Sequence, residues 1–239
     1  MLCRIKQANA YLKLGKSRLI KQEPLATFYS RLVSEGIDIR TIYDIGAFEG
    51  KYTQTASQFF PKANFILFEA NPIHEPKLKS TGHRYFVVTL YSEKTHKYWY
   101  SLNISGDSLY KENNFFGYTT ATPSIVETET LDSIVNKHLL PVADLIKIDT
   151  QGSELDILLG AQQTVKTCKL ITLEMPLVNY NIGAPKIQEY IDVMRSIGFA
   201  PYDFVEPHFD KGLLIQIDLA FINTQYLVDR FGEIARPFL

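Results

Sequence analysis

The feature that most constrains the fold is an alternation that begins at Arg40. Short apolar runs, glycine or proline breaks and helical stretches follow one another in turn. Thr41–Ala47 reads as a strand running into a glycine turn, and Lys51–Phe60 as the helix after it. Asn64–Ala70 is a second strand, stopped by Asn71-Pro72, and Arg84–Tyr91 is a third. Asp144–Asp149 is a fourth, with a helix over Glu154–Val165 beyond Gly152. Lys169–Met175 is the next strand, and Lys186–Ile197 a helix ended by Gly198. Strands alternating with helices predict a parallel sheet with helices on both faces.

The end of the chain breaks this rhythm. Phe199–Glu206 and Leu213–Asn223 are separated only by Pro207–Gly212, too short a link for a crossover helix. The pair must therefore be antiparallel. The expectation is an α/β fold with a seven-stranded, mostly parallel sheet and a reversed last strand. At 239 residues the chain suffices for one large domain. Residues 1–39 read as a helical N-terminal extension on a domain of residues 40–239, its second helix starting near Pro24 and ending before Gly36.

Charge separates these two parts. The 25 basic and 26 acidic residues nearly cancel, which gives no bulk attraction to nucleic acid. Yet residues 1–22 contain six basic side chains and no acidic one, leaving 19 basic and 26 acidic residues in the remainder. The basic stretch is expected to be a helix with a solvated face, with contact to a membrane surface or an acidic partner as its alternative. No apolar run approaches the ~20 residues of a membrane span, and lysines and arginines interrupt any signal-peptide core. Cys3 and Cys168 offer neither a disulfide framework nor metal-ligand spacing, so a reducing, cytoplasmic setting is expected.

The first strand ends Asp44-Ile45-Gly46-Ala47-Phe48-Glu49-Gly50, and Glu69 ends the second, 19 residues after Gly50. Glycines let a ligand approach the main chain, and a carboxylate at Glu69 can accept both hydroxyls of a ribose. The G-x-G-x-x-G spacing of a pyrophosphate site is absent. Asp44 and Glu49 would also repel a diphosphate by several kcal/mol (~4 at 4 Å and an effective dielectric near 20). S-adenosylmethionine carries two cations and no phosphate, and it would suit such a turn. Asp149 and Glu174 end later strands, so Asp44, Glu69, Asp149 and Glu174 are expected on one rim.

At this point the sequence resembles the FkbM-type methyltransferases over roughly Thr41 to Asn223. The resemblance rests on the 44–53 turn and on Phe68-Glu69-Ala70-Asn71-Pro72. It rests further on Thr130–Ile134, on the Lys147-Ile-Asp-Thr-Gln-Gly-Ser-Glu154 block with Leu158-Leu-Gly-Ala161, on Glu174-Met175, and on Asp218–Asn223. It implies a Rossmann-like class I methyltransferase fold with S-adenosylmethionine as cofactor. It also implies methyl transfer to oxygen, commonly a hydroxyl of a sugar, glycan or related metabolite. Cofactor contacts are expected at Asp44, Gly46, Ala47, Phe48, Gly50, Tyr52, Thr53, Glu69, Ala70, Ser108 and Asp149. Phe48 stands where such turns often have Asn, and Gln151 where relatives frequently have Glu.

Methyl transfer requires alignment of the acceptor oxygen and removal of its proton. Asp149 is the first choice for the acceptor end, with Glu174 and His208 as the other expected bases; His208 is placed in the hairpin turn. A divalent metal on Asp149 and Glu174 is a variant that is not favoured, and no cysteine or His-x-x-x-His cluster supports zinc. The segment Tyr98–Tyr118 holds seven aromatics in 21 residues, so one or two are expected to touch substrate while the rest pack in an auxiliary hairpin. Gly106-Asp107-Ser108-Leu109 matches a lipase-esterase tetrapeptide, but no histidine has Asp three residues before it to complete that site. The competing readings are a nicotinamide-dependent oxidoreductase and a non-catalytic adenosine-cofactor module.

Overall fold

The computed structural model describes residues 24–101, 106–113, 122–233 and 235. The helical elements are α1 (Pro24–Ser34), α2 (Lys51–Phe59), α3 (Glu75–Ser80), α4 (Leu131–His138), α5 (Glu154–Leu159), α6 (Ile187–Ser196) and α7 (Thr224–Phe231). The strands are β1 (Thr41–Ile45), β2 (Asn64–Glu69), β3 (Arg84–Val87), β4 (Thr89–Leu90), β5 (His96–Trp99), β6 (Ser124–Glu129), β7 (Leu145–Ile148), β8 (Leu170–Pro176), β9 (Phe199–Asp210) and β10 (Leu213–Asn223).

Seven strands form the main sheet in the order β3-β2-β1-β7-β8-β10-β9. Only β10 is reversed, running antiparallel to β8 on one side and to β9 on the other. The expected fold is present: a mostly parallel sheet whose direction of growth reverses between β1 and β7, which opens a ligand crevice at the strands' carboxyl ends.

Alternation along the strands sorts the core into two layers. Tyr43, Ile45, Phe68, Ile146, Ile148, Ile171 and Leu173 pack on one face with Leu131, Ile134, Leu155, Ile157, Tyr190 and Met194 of α4, α5 and α6. Ile42, Phe65, Leu67, Leu145, Leu170 and Ile222 pack on the other, with Phe28, Tyr29 and Leu32 of α1, Ala56 of α2, Leu78 of α3 and Leu227 of α7. Helix α1 is therefore built into the core. The basic stretch expected as a helix over residues 1–22 lies outside the described residues.

Three expected boundaries move, each for a local reason. Strand β9 continues through Pro207 to Asp210, so Lys211-Gly212 alone make the turn. Both have positive φ, +47° and +82°, as a two-residue hairpin of this twist needs. Helix α5 stops at Leu159 instead of Val165: the Gln163 and Thr164 amides donate to the Asp132 carboxylate, both at 2.8 Å, and Gly160 lays its backbone against Tyr91, whose carbonyl oxygen would lie 2.2 Å from an added Cβ. Arg84–Tyr91 divides into β3 and β4, the second of which leaves the main sheet. With β6 and β5 it forms a small sheet, order β4-β6-β5.

Candidate active site

A cavity of about 710 Å³ opens at the carboxyl ends of β1, β2 and β7. One wall is the turn after β1. The Gly46 and Ala47 amides donate to the Phe68 carbonyl at 2.9 and 3.0 Å, which folds the turn over the end of β2. Gly46, at φ +74°, has its α-carbon against the Asp149 backbone, where a Cβ would lie 1.8 Å from the carbonyl oxygen. Phe48 also takes a positive φ, +50°, and its ring lies against that of His74 with centroids 4.3 Å apart.

Glu69 fixes the next corner. Its carboxylate accepts the Phe48 amide at 2.7 Å and the Asn71 amide at 2.8 Å, while still lining the cavity. Burial raises its pKa, against the lowering effect of those two amides. Beside it, His74 is 7% exposed and lines the cavity, and its Nε2 has no hydrogen-bond partner among the described residues. Asp107 also faces the cavity, held by Asn71 Nδ2 and Ser101 Oγ, each at 2.7 Å.

Below the turn lies a buried ammonium. Lys147 of β7 stands opposite Asp44 of β1 in the parallel register. Its Nζ is 3.5 Å from Asp44 Oδ1 and 3.1 Å from Asp149 Oδ2, and it donates to the Gly46 carbonyl at 3.0 Å. Burial by itself would lower the lysine pKa, but Asp149 and Asp44 outweigh it and the net shift is upward. Burial likewise pushes Asp149 up, yet Lys147 and hydrogen bonds from its neighbours bring it below the ordinary carboxylate range. Glu174, buried behind it, is raised well above that range by desolvation and by the charges of Asp149 and Asp218. The two carboxylates thus shift in opposite senses, the charged form being favoured at Asp149 and disfavoured at Glu174. Gln151 bridges them, its Nε2 reaching Asp149 Oδ1 at 3.3 Å and Glu174 Oε2 at 2.5 Å.

The rest of the 147–154 block is scaffolding for that arrangement. The Glu154 carboxylate accepts the Thr150 amide at 2.8 Å, the Gly152 amide at 3.0 Å and the Tyr190 hydroxyl at 2.6 Å. Gln151 and Gly152 have positive φ, so the segment needs such a clamp to hold its bend.

Beyond Asp149 the cavity is lined by Glu206, His208 and Asp218. His208 is not in the hairpin turn: the longer β9 places it opposite Gln216, with its Nε2 3.0 Å from Asp218 Oδ1. That hydrogen bond raises the imidazole pKa against the opposing effect of burial.

Of the other residues expected at the cofactor, Ala47, Tyr52 and Ala70 line the cavity, whereas four are turned elsewhere. Asp44 is fully buried under the turn, accepting from Thr53 Oγ1 at 2.7 Å, and Thr53 is buried with it. Gly50 caps α2 at φ +78°. Ser108 donates to the Gln151 carbonyl at 2.7 Å and so ties down its own loop, while its neighbour Asp107 faces the cavity. Glu174 does not line the cavity either; it acts on Asp149 from behind. In the aromatic segment, Trp99 lines the cavity and Tyr98 is exposed, while Phe115, Phe116 and Tyr118 lie outside the described residues. Sequence reasoning missed Lys147, His74, Asp107, Glu206 and Asp218 as site residues. A hairpin register carried back to Glu174 would have found Asp218, its direct partner on β10.

Sheet order, glycine turn and acidic rim together define an S-adenosylmethionine-dependent methyltransferase of the Rossmann-like class I fold. The family model of the methyltransferase FkbM domain matches residues 44–201, and the chain belongs to that family. This membership sets the nicotinamide-dependent reading aside. Similar solved structures include an S-adenosylmethionine-dependent methyltransferase from Clostridium acetobutylicum, 12% identical, covering 92% of this chain and 98% of that one at a TM-score of 0.49. A precorrin-6y C5,15-methyltransferase from Geobacter metallireducens is 11% identical, covering 82% and 87% at 0.46. The magnesium protoporphyrin IX methyltransferase of Synechocystis with bound S-adenosylhomocysteine is 7% identical, covering 92% and 94% at 0.49. Likenesses this distant say nothing of the acceptor. Among curated proteins, none matches the chain.

The residues present fit the cofactor. His74 Nε2, buried and without a partner among the described residues, and the Glu69 carboxylate both lie at the end of β2, where a nucleoside would find hydrogen-bonding groups. No phosphate-binding arrangement of glycines competes with them.

Proposed function

We propose that this protein transfers a methyl group to a hydroxyl oxygen of a sugar, glycan or related small metabolite. The observation that carries the reading is the position of Asp149, a charged carboxylate between the glycine turn and the Glu206–His208–Asp218 end of the cavity. Carboxylates and imidazole are hydrogen-bond acceptors suited to a polyhydroxylated acceptor, and one of them must take the hydroxyl proton.

The bound cofactor supplies a methyl group on a sulfonium, already activated for displacement. Glu69 and Asp107 would accept hydrogen bonds from its hydroxyls, Phe48 and His74 would offer it ring faces, and Gly46, Ala47 and Ala70 would bring main chain close to it. Lys147 holds Asp149 ionised and fixed, and Asp149 orients the acceptor hydroxyl and receives its proton. Trp99 and Leu109 add apolar lining to the cavity.

Residues 40–239 would be the catalytic domain, with helix α1 of the N-terminal extension packed into its core and the basic stretch before it available to an acidic partner or membrane surface. No helix among the described residues is long and apolar enough to cross a membrane. The cytoplasmic setting we propose rests on the two cysteines, which make no disulfide framework. The test is incubation of the purified protein with S-adenosylmethionine and a panel of mono- and oligosaccharides, read by mass spectrometry with the methylated atom assigned by NMR. An O-methyl sugar is expected. Methyl groups found only on nitrogen or carbon acceptors would overturn the reading.

A further inference from the structure

The acceptor end of the cavity carries a ligand set that methyl transfer alone does not require. Glu174, His208 and Asp218 each present one donor atom, and the three atoms lie within 4.8 Å of one another. An ion with bonds of about 2.0–2.2 Å spans ligands up to about 4.4 Å apart, so an inward shift of these side chains closes the set on a single ion. They come from three adjacent strands. Glu174 of β8 is the direct register partner of Asp218 of β10, and Asp218 is in turn the partner of Glu206 of β9. Like charges placed directly opposite on neighbouring strands are destabilising. Here three carboxylates stand in one row, with a fourth, Asp149, in front of it. His208 is hydrogen-bonded to Asp218, and Lys147 lies against Asp44 and Asp149. The imidazole distinguishes the set from a merely acidic patch, because it adds the nitrogen donor that first-row divalent ions favour.

We propose that Glu174, His208 and Asp218 form a divalent-cation site that binds the acceptor through two adjacent hydroxyl oxygens. Glu174 lies behind the cavity wall, whereas His208 and Asp218 line the cavity. An ion held by the three ligands therefore turns its open positions towards the space where the acceptor enters. Two neighbouring open positions take a vicinal diol, which narrows the acceptor to sugars with adjacent free hydroxyls. With His208 engaged as a ligand, Asp149 remains the group that takes the proton. The inference deepens the hydroxyl-methylation reading and rests on it for the substrate, but not for the ion.

The test uses the full chain without cofactor or acceptor. Mn²⁺ is titrated in and the free-ion signal is followed by electron paramagnetic resonance. One ion per chain is expected, with affinity at least tenfold weaker in Asp218→Asn and in His208→Ala, and unchanged in Asp192→Asn on the surface of α6. Circular dichroism and S-adenosylhomocysteine binding confirm that the variants fold. Stoichiometric binding that Asp218→Asn and His208→Ala leave intact would overturn the site, as would no binding below millimolar Mn²⁺. If sugar methylation persists after exhaustive chelation and no ion binds, the cation site fails while the function stands. If the ion binds as expected and no hydroxyl is ever methylated, the function fails while the site stands.

Discussion

Lys147 Nζ sits 3.1 Å from the Asp149 carboxylate, so a buried cation from the strand interior holds the charged group at the centre of the cavity. The lysine side chain is 9% exposed and its second partner, Asp44, is fully buried. Replacing it with Met leaves two carboxylates without a counter-charge. Lys147→Met is expected to lose ~3–5 kcal/mol of stability. Urea unfolding measures this, and an unchanged midpoint would show that the ammonium does not hold the pair.

Asp149→Asn keeps the shape of the rim and removes the charge. If Asp149 receives the acceptor proton, kcat falls about 10²–10⁴-fold while S-adenosylhomocysteine affinity changes little. Calorimetry and initial rates separate the two. Binding lost in parallel with turnover would make the residue a cofactor contact instead.

Glu69 titrates above the ordinary carboxylate range because it is buried. Its ionised form is the better acceptor for ribose hydroxyls, and a raised pKa brings the neutral form in at higher pH. Cofactor affinity should therefore weaken on acidification sooner than a normal carboxylate would allow. The Glu69→Gln variant should bind about tenfold more weakly at neutral pH and show no such slope. On stability the same shift has the opposite sense: the native state holds this proton more tightly, so Glu69's contribution declines as pH rises from its unfolded pKa through the raised one. Equal pH slopes of affinity in the wild type and Glu69→Gln would refute the assignment.

His74 Nε2 is a buried nitrogen without a partner among the described residues. His74→Phe preserves the contact with Phe48 and removes the nitrogen. It should lower S-adenosylhomocysteine affinity while leaving thermal stability without ligand unchanged or higher, since no native hydrogen bond is lost. Unchanged affinity would exclude the imidazole from the nucleoside site.

Cys168 lies in the core, and burial pushes its thiol up to about 12. It should resist iodoacetamide at pH 8 in the native protein and react on unfolding. Mass spectrometry of its peptide gives the answer, and rapid native labelling would mean that this side of the sheet opens.

The main sheet was legible because each parallel strand is a short apolar run with its own stop signal, as Asn71-Pro72 is for β2. The small sheet was not, because β4 has two residues and β5 four, too few for a period to declare itself. Helix α4 also escaped, although Thr130 accepts the Ser133 amide as its N-cap. In the site, acids at strand ends were readable from position alone. Lys147 was hidden because a lysine inside an apolar run makes sense only once its neighbour across the sheet, Asp44, is known. His208 was misplaced by four residues of strand, since Pro207 looks like a stop and is instead accommodated within the irregular β9–β10 pairing.

The contact between Gly46 and the Asp149 carbonyl leaves no room for a methyl group. Two segments about a hundred positions apart thus share one backbone surface, and neither can be exchanged alone. A chimaera taking its first motif from one homologue and its 147–154 block from another would have to match them as a unit. Crossovers for recombining such enzymes belong outside the span from β1 to α5, where the join does not pass through the seat of the methyl donor.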